Sequence, residues 1–144
     1  MSAARGHLRL FFGVPLAEPL RERAVALQRQ LAAAAGPVRV KWVEAENLHL
    51  TLKFVGDAPA ARLPEFIAAA QRVAQQAQPG ALHYHGVGCF ANRGVPRTIW
   101  IGLRGTTAQL AALAQALDQA LAQAGLAAAE QRRFHAHVTL GRVR

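Results

Sequence analysis

The chain is short of cysteine, lysine and acid. Its single cysteine, Cys89, excludes an internal disulfide and fits a reducing cytoplasm, which is the expected location. Eight acidic residues face seventeen basic ones, giving a net charge of +9, and only two of the basic residues are lysine. The fifteen arginines supply planar forks that suit phosphate oxygens, so nucleic acid or phosphate esters are natural partners. Abundant alanine and arginine are also what a GC-rich genome produces, and charge alone therefore assigns no function. No run of eighteen apolar residues occurs, which argues against a spanning helix and a membrane role. Residues 1–14 contain one short apolar run without a cleavage signature and read as a strand, not a signal peptide. No low-complexity stretch or linker divides the chain, so one domain over residues 1–144 is expected.

What is present is a 52% apolar chain whose punctuation alternates between two periodicities. Period-two or apolar runs predict strands over 8–14, 38–43, 47–55, 82–90, 98–103 and 136–143. Helices are predicted over 18–35, with Leu20, Val25, Leu27 and Leu31 inward, over 64–78, and over 106–124, capped by Thr106 or Thr107. Gly36-Pro37, Gly56-Asp57, Pro79-Gly80 and Gly125 serve as stops, and Ala91-Asn92-Arg93-Gly94 as a turn. The order β-α-β-β-α-β-β-α-β predicts an α+β fold of two similar lobes.

One short pattern occurs twice. His49-Leu50-Thr51-Leu52 returns as His137-Val138-Thr139-Leu140, although this composition would yield only about 0.03 copies by chance. Alternation puts His49, Thr51 and Lys53 on one strand face, and Leu48, Leu50, Leu52 and Phe54 on the other. In the second copy His137 and Thr139 share a face, backed by Val138 and Leu140. Two imidazoles can divide general-base and general-acid work near neutral pH. Two threonine hydroxyls can donate to the non-bridging oxygens of a phosphoryl group, and a nearby cation can stabilise its charge. The set suits in-line attack on a phosphodiester without a metal or other cofactor. No adjacent carboxylate is evident to orient a His-Thr pair for covalent work. His83-x-His85 and His135-x-His137 also place paired imidazoles on one strand face. A metal site built on these pairs would leave Thr51 and Thr139 unused, so none is expected.

These residues resemble the two-histidine (2H) phosphoesterases, in particular the LigT-like RNA 2′,3′-cyclic phosphodiesterases. The resemblance runs through Arg9-Leu10-Phe11-Phe12-Gly13-Val14-Pro15, Lys41-Trp42-Val43-Glu44 and Glu46-Asn47-Leu48-His49-Leu50-Thr51-Leu52-Lys53-Phe54-Val55-Gly56. It continues in Gly88-Cys89-Phe90, Pro96-Arg97, Ile99-Trp100-Ile101-Gly102-Leu103 and the segment from Phe134 to Arg142. It implies a bilobal α+β fold, two antiparallel sheets with flanking helices around a cleft, related by a pseudo-two-fold axis. It further implies metal-independent opening of a terminal 2′,3′-cyclic phosphate on RNA, or on a cyclic nucleotide, to a 2′-phosphate by a monomer. By position, His49 protonates the departing 3′ oxygen and His137 activates water. Thr51 and Thr139 hold phosphoryl oxygens, Arg142 binds phosphate, and Phe54 lines the base or ribose pocket. Ala136, preceded by His135, stands where the family commonly has proline. The reverse reaction, 2′-5′ RNA ligation, and a catalytically idle RNA-binding module are the competing expectations.

Overall fold

The element order found is the order the sequence predicts. The computed structural model describes residues 6–144. These form β1 (His7–Pro15), α1 (Glu18–Ala34), β2 (Val40–Trp42), β3 (His49–Pro59), α2 (Leu63–Gln75), β4 (Leu82–Asn92), β5 (Val95–Gly105), α3 (Thr107–Gln123) and β6 (His137–Val143). The class is α+β with antiparallel strand pairs, and the chain divides into two compact units. No helix among the described residues is long and apolar enough to cross a membrane.

The first unit holds residues 6–13, 51–82 and 105–136. In it β1 lies beside β3, and α2 packs along α3. A proline in the first turn starts α2, where its missing N–H costs nothing. On α3, Leu110, Ala114, Leu117 and Leu121 recur at helical spacing and are buried. Leu117 and Leu121 join Ala58, Phe66 and Ala69 in the unit's core. Gly125, at φ 69°, then ends α3 in the left-handed conformation that glycine adopts without strain. The Leu126 amide donates to Leu121 O at 2.9 Å and the Gly125 amide to Ala122 O at 3.1 Å, the paired bonds of a Schellman stop. Thr106 sits at the N-cap of α3 without capping it; its hydroxyl donates to Ala81 O instead, at 3.2 Å.

The second unit holds residues 14–50, 83–104 and 137–144. Here β6 is central. One edge pairs with β5, while the other is shared by β2, which pairs with residues 141–143, and by the start of β3 at Leu50. The β4–β5 hairpin turns at Arg93 and Gly94, both at positive φ (52° and 79°), which matches strand twist in a two-residue loop. Leu48, Leu50, Ile101, Val138 and Leu140 form the buried backing of this sheet together with Ala24 of α1.

The residues of α1 that become fully buried are Ala24 and Gln28, while Leu20, Val25, Leu27 and Leu31 are only partly covered. Gln28 is buried because a ladder is interrupted. Where β2 ends and β3 begins along the same edge of β6, Leu140 O accepts the Val43 amide at 2.8 Å. The Gln28 side-chain amide fills the rest, donating to Val43 O and Leu140 O at 2.9 Å each. Gln28→Leu keeps the volume and removes both donors. It is expected to lower unfolding free energy by about 1–3 kcal/mol, the cost of a buried acceptor left unmade. Urea denaturation, with the slope unchanged, checks this.

Two expectations about the first motif strand also need correction. The first motif strand does not close at Gly56 but runs through it, at φ 89°, to Pro59, and it begins at His49 after a 3-10 turn over Ala45–Asn47. Its alternation also breaks. Leu52 and Val55, three residues apart, both pack on the first unit's core, so period two cannot hold between them. Phe54, placed by alternation with Leu50 and Leu52, is instead 56% exposed.

Candidate active site

The two motifs meet at their midpoints. Leu50 pairs with Val138 across antiparallel β3 and β6, and both are buried. Stepping outward from that pair in the antiparallel sense sets His49 opposite Thr139. His49, Thr51, His137 and Thr139 are all half-buried, as alternation about two buried residues requires. Thr51 follows Leu50 on β3, two residues from His49 and on its face.

Local structure fixes the His49 ring. The 3-10 turn just before β3 aims Asn47 O at His49 Nδ1, 2.6 Å away. A carbonyl can only accept, so Nδ1 carries the proton, and Nε2 is the nitrogen that gains or loses the second one.

The His137 ring lies against an aromatic wall that sequence reasoning did not assign. Its ring meets Phe90 edge-on (5.0 Å between centroids, 85°) and Trp100 at 6.4 Å and 64°. Phe90 and Trp100 are themselves 5.1 Å apart. Gly88 makes this possible, because any Cβ there would collide with the Trp100 indole. Gly102, which pairs with His137, is equally confined, since a Cβ would stand 2.8 Å from His85 O. The Gly88-x-Phe90 and Trp100-x-Gly102 spacings are visible in the sequence, but nothing in them says that the strands align.

Arg142 reaches the motif face through a register shift. Counted along β6 alone, an even position lies opposite His137 and Thr139. Yet Trp100 pairs with Thr139 and Thr98 pairs with Arg142, with the ladder shifted between Ile99 and Trp100. Thr98 and Trp100 share one face of β5, so Arg142 is returned to the face of Thr139. It is exposed there. His135 is not on a shared strand face with His137, because β6 begins at His137; it lies exposed in the preceding irregular segment. Phe54 falls beyond the break in alternation, with the Arg9 guanidinium 5.4 Å above its ring. His83 and His85 are exposed on β4. Among the described residues no three His, Cys, Asp or Glu side chains are grouped to hold a metal ion. An open groove between α2 and α3, lined by Ala69, Arg72, Gln76, Gln109 and Ala116, contains none of the candidate residues.

Sequence reading also missed Asp118. Its carboxylate accepts Lys53 Nζ at 2.6 Å and the Glu130 amide at 3.0 Å. Burial pushes this carboxyl up, but the Lys53 hydrogen bond, the Glu130 amide and the Lys53 charge outweigh it, holding the pKa below the ordinary aspartate value. A folded-state pKa below the unfolded one adds stability at pH values above about 4, and this is lost as pH falls through the folded value. Melting temperature followed from pH 5 downward is therefore expected to fall more steeply for the wild type than for Asp118→Asn.

Residues 14–100 match the family of LigT-like phosphoesterases. The chain belongs to that family. Among LigT-like relatives, an RNA 2′,3′-cyclic phosphodiesterase of Archaeoglobus fulgidus is 34% identical over 95% of this chain and 73% of its own length. A protein of the same name from Aquifex aeolicus is 29% identical over 95% of this chain and 71% of its own. The crystal structure of E. coli LigT complexed with 3′-AMP is similar at TM-score 0.75 and 31% identity, covering 93% of this chain and 72% of that one. A crystal structure from Thermus thermophilus is similar at TM-score 0.77 and 28% identity, over 94% of this chain and 74% of that one. The family match contains the first H-x-T-L, all of β4 with Phe90, and β5 as far as Trp100.

Proposed function

We propose that this LigT-like chain hydrolyses the terminal 2′,3′-cyclic phosphate of RNA, or of a cyclic nucleotide, to a 2′-phosphate. The observation that carries the reading is the pairing of Leu50 with Val138, which makes the two His-Thr motifs neighbours in one ladder. His137 takes a proton from water as its oxygen attacks phosphorus. The bond from phosphorus to the 3′ oxygen breaks, and His49 delivers a proton to that oxygen. Water and cyclic phosphate thus become a 2′-phosphate and a 3′ hydroxyl, and solvent resets the two rings. His49 suits the acid role because its Nδ1 is committed to Asn47 O, leaving proton exchange to Nε2. Thr51 and Thr139 donate to the non-bridging oxygens, and Arg142, on the Thr139 face, offsets the charge developing there. Phe54, whose exposed ring could cover a sugar or base, completes the substrate set. The names of the relatives and the 3′-AMP complex of E. coli LigT favour RNA ends over other phosphodiesters. Neither His nor Thr needs a metal for these roles, and the reading is of a metal-independent enzyme acting in the cytoplasm.

An oligonucleotide ending in a 2′,3′-cyclic phosphate, incubated with the protein in EDTA, tests this. The expected product is a 2′-phosphate, formed at an unchanged rate. A 3′-phosphate product, or loss of activity on chelation, overturns the reading.

A further inference from the structure

Among the described residues Lys53 is the one charged side chain that is buried, at 7% exposure. It lies two residues beyond Thr51 on β3. Its ammonium donates to Asp118 Oδ1 on α3 at 2.6 Å and to Ala128 O at 3.0 Å. Both Asp118 oxygens in turn accept the Glu130 amide, at 3.0 and 3.2 Å. Packing does not demand an ion pair here, since apolar side chains of similar volume often replace a buried pair without loss of stability. What apolar side chains cannot do is direct a backbone. Leu126 and Ala127 are held on Leu121 O, Arg62 donates to Gly125 O, and the Lys53–Asp118 pair takes over at Ala128 and Glu130. The chain is thereby anchored from the end of α3 to Glu130, seven residues before His137.

We infer that Lys53 is a positioning residue, which with Asp118 ties the strand carrying Thr51 to the segment that delivers His137. The inference rests on the catalytic reading above. An error of about 1 Å in such a delivery can cost on the order of 10² in rate.

The test uses the intact chain as Lys53→Met, Asp118→Leu and the double variant, assayed below the lowest melting temperature. Asp118→Leu strands the buried Lys53 ammonium and Lys53→Met a half-buried carboxylate, so each single variant melts early. The double variant is expected to regain most of the lost melting temperature while its kcat stays about 10–100-fold down with KM changed about twofold or less. Amides of residues 128–136 are expected to exchange with deuterium about tenfold faster or more in the double variant than in the wild type. Asp118→Asn, which keeps an acceptor for both donors, should retain more kcat than Asp118→Leu. Wild-type kcat together with wild-type exchange in the double variant overturns the inference, assigning the pair to stability alone. If the wild type itself left the cyclic phosphate intact, the catalytic reading would fail, and the exchange comparison would still decide whether the pair anchors this segment.

Discussion

Replacing His137 with alanine lowers turnover of a 2′,3′-cyclic phosphate end by about 10²–10⁴-fold, and His49→Ala does the same, while binding of the oligonucleotide survives. The magnitude is that of one positioned proton transfer, equivalent to about 3–5 kcal/mol of barrier. Binding survives because Arg142 and the two threonines, which hold the phosphate in this mechanism, are untouched. Alanine at 137 also strips the edge contacts to Phe90 and Trp100, so packing and chemistry need separating. His137→Asn keeps a planar polar side chain but cannot serve as a base. It is expected to be as slow as His137→Ala, whereas a packing role would restore it. The two losses should not add, since removing either member of a proton-transfer pair leaves the other with little to do. Single-turnover rates give the chemistry, and fluorescence anisotropy with a labelled oligonucleotide gives the binding. Activity persisting in both alanine variants would remove the acid-base mechanism.

Phe66→Ala is expected to cost about 3–5 kcal/mol of folding free energy, a large share of the roughly 5–15 kcal/mol that a domain has. Phe66 is 1% exposed and is the bulkiest of the buried residues at the centre of this core, where its fellows are Ala58, Ala69, Leu117 and Leu121. Alanines cannot lean in to close the cavity, so relaxation recovers little, and the cost belongs at the upper end. The melting temperature should fall by about 10 °C or more. Its neighbour Ile67 is 46% exposed on the same helix. Ile67→Ala should shift stability by about 0.5 kcal/mol or less, which controls for helix propensity. Differential scanning calorimetry of the two variants checks the contrast.

How far the sequence could be read depends on whether a feature is local. The strand around His137 was legible because Val138 and Leu140 alternate with His137 and Thr139, and the burial follows that alternation. The pairing of the two motifs was legible as repetition, although not as a register. Phe54 was misplaced because alternation is only a local rule. The core of the first unit takes Leu52 and Val55 together, and tertiary packing overrode the period. The face of Arg142 was not legible, because a register shift against a neighbouring strand decides it. Gln28 and Asp118 could not be found at all from sequence. Each is defined by a partner more than sixty residues away, Leu140 for one and Lys53 for the other. A polar side chain on a helix carries no mark saying that a backbone carbonyl or a buried ammonium waits for it.

The central place of β6 has a consequence for how the molecule is made. Its partners β2, β3 and β5 all precede it, and Leu50 must wait almost ninety residues for Val138. A chain emerging from the ribosome thus presents three strand segments of the second unit with no common template until residues 137–143 appear. Contacts of such long sequence separation close late and make folding slow. The first unit's helix pair, α2 with α3, can form before that point. Catalytic competence should therefore wait for β6, because the strand that joins β2, β3 and β5 is the strand that carries the second histidine.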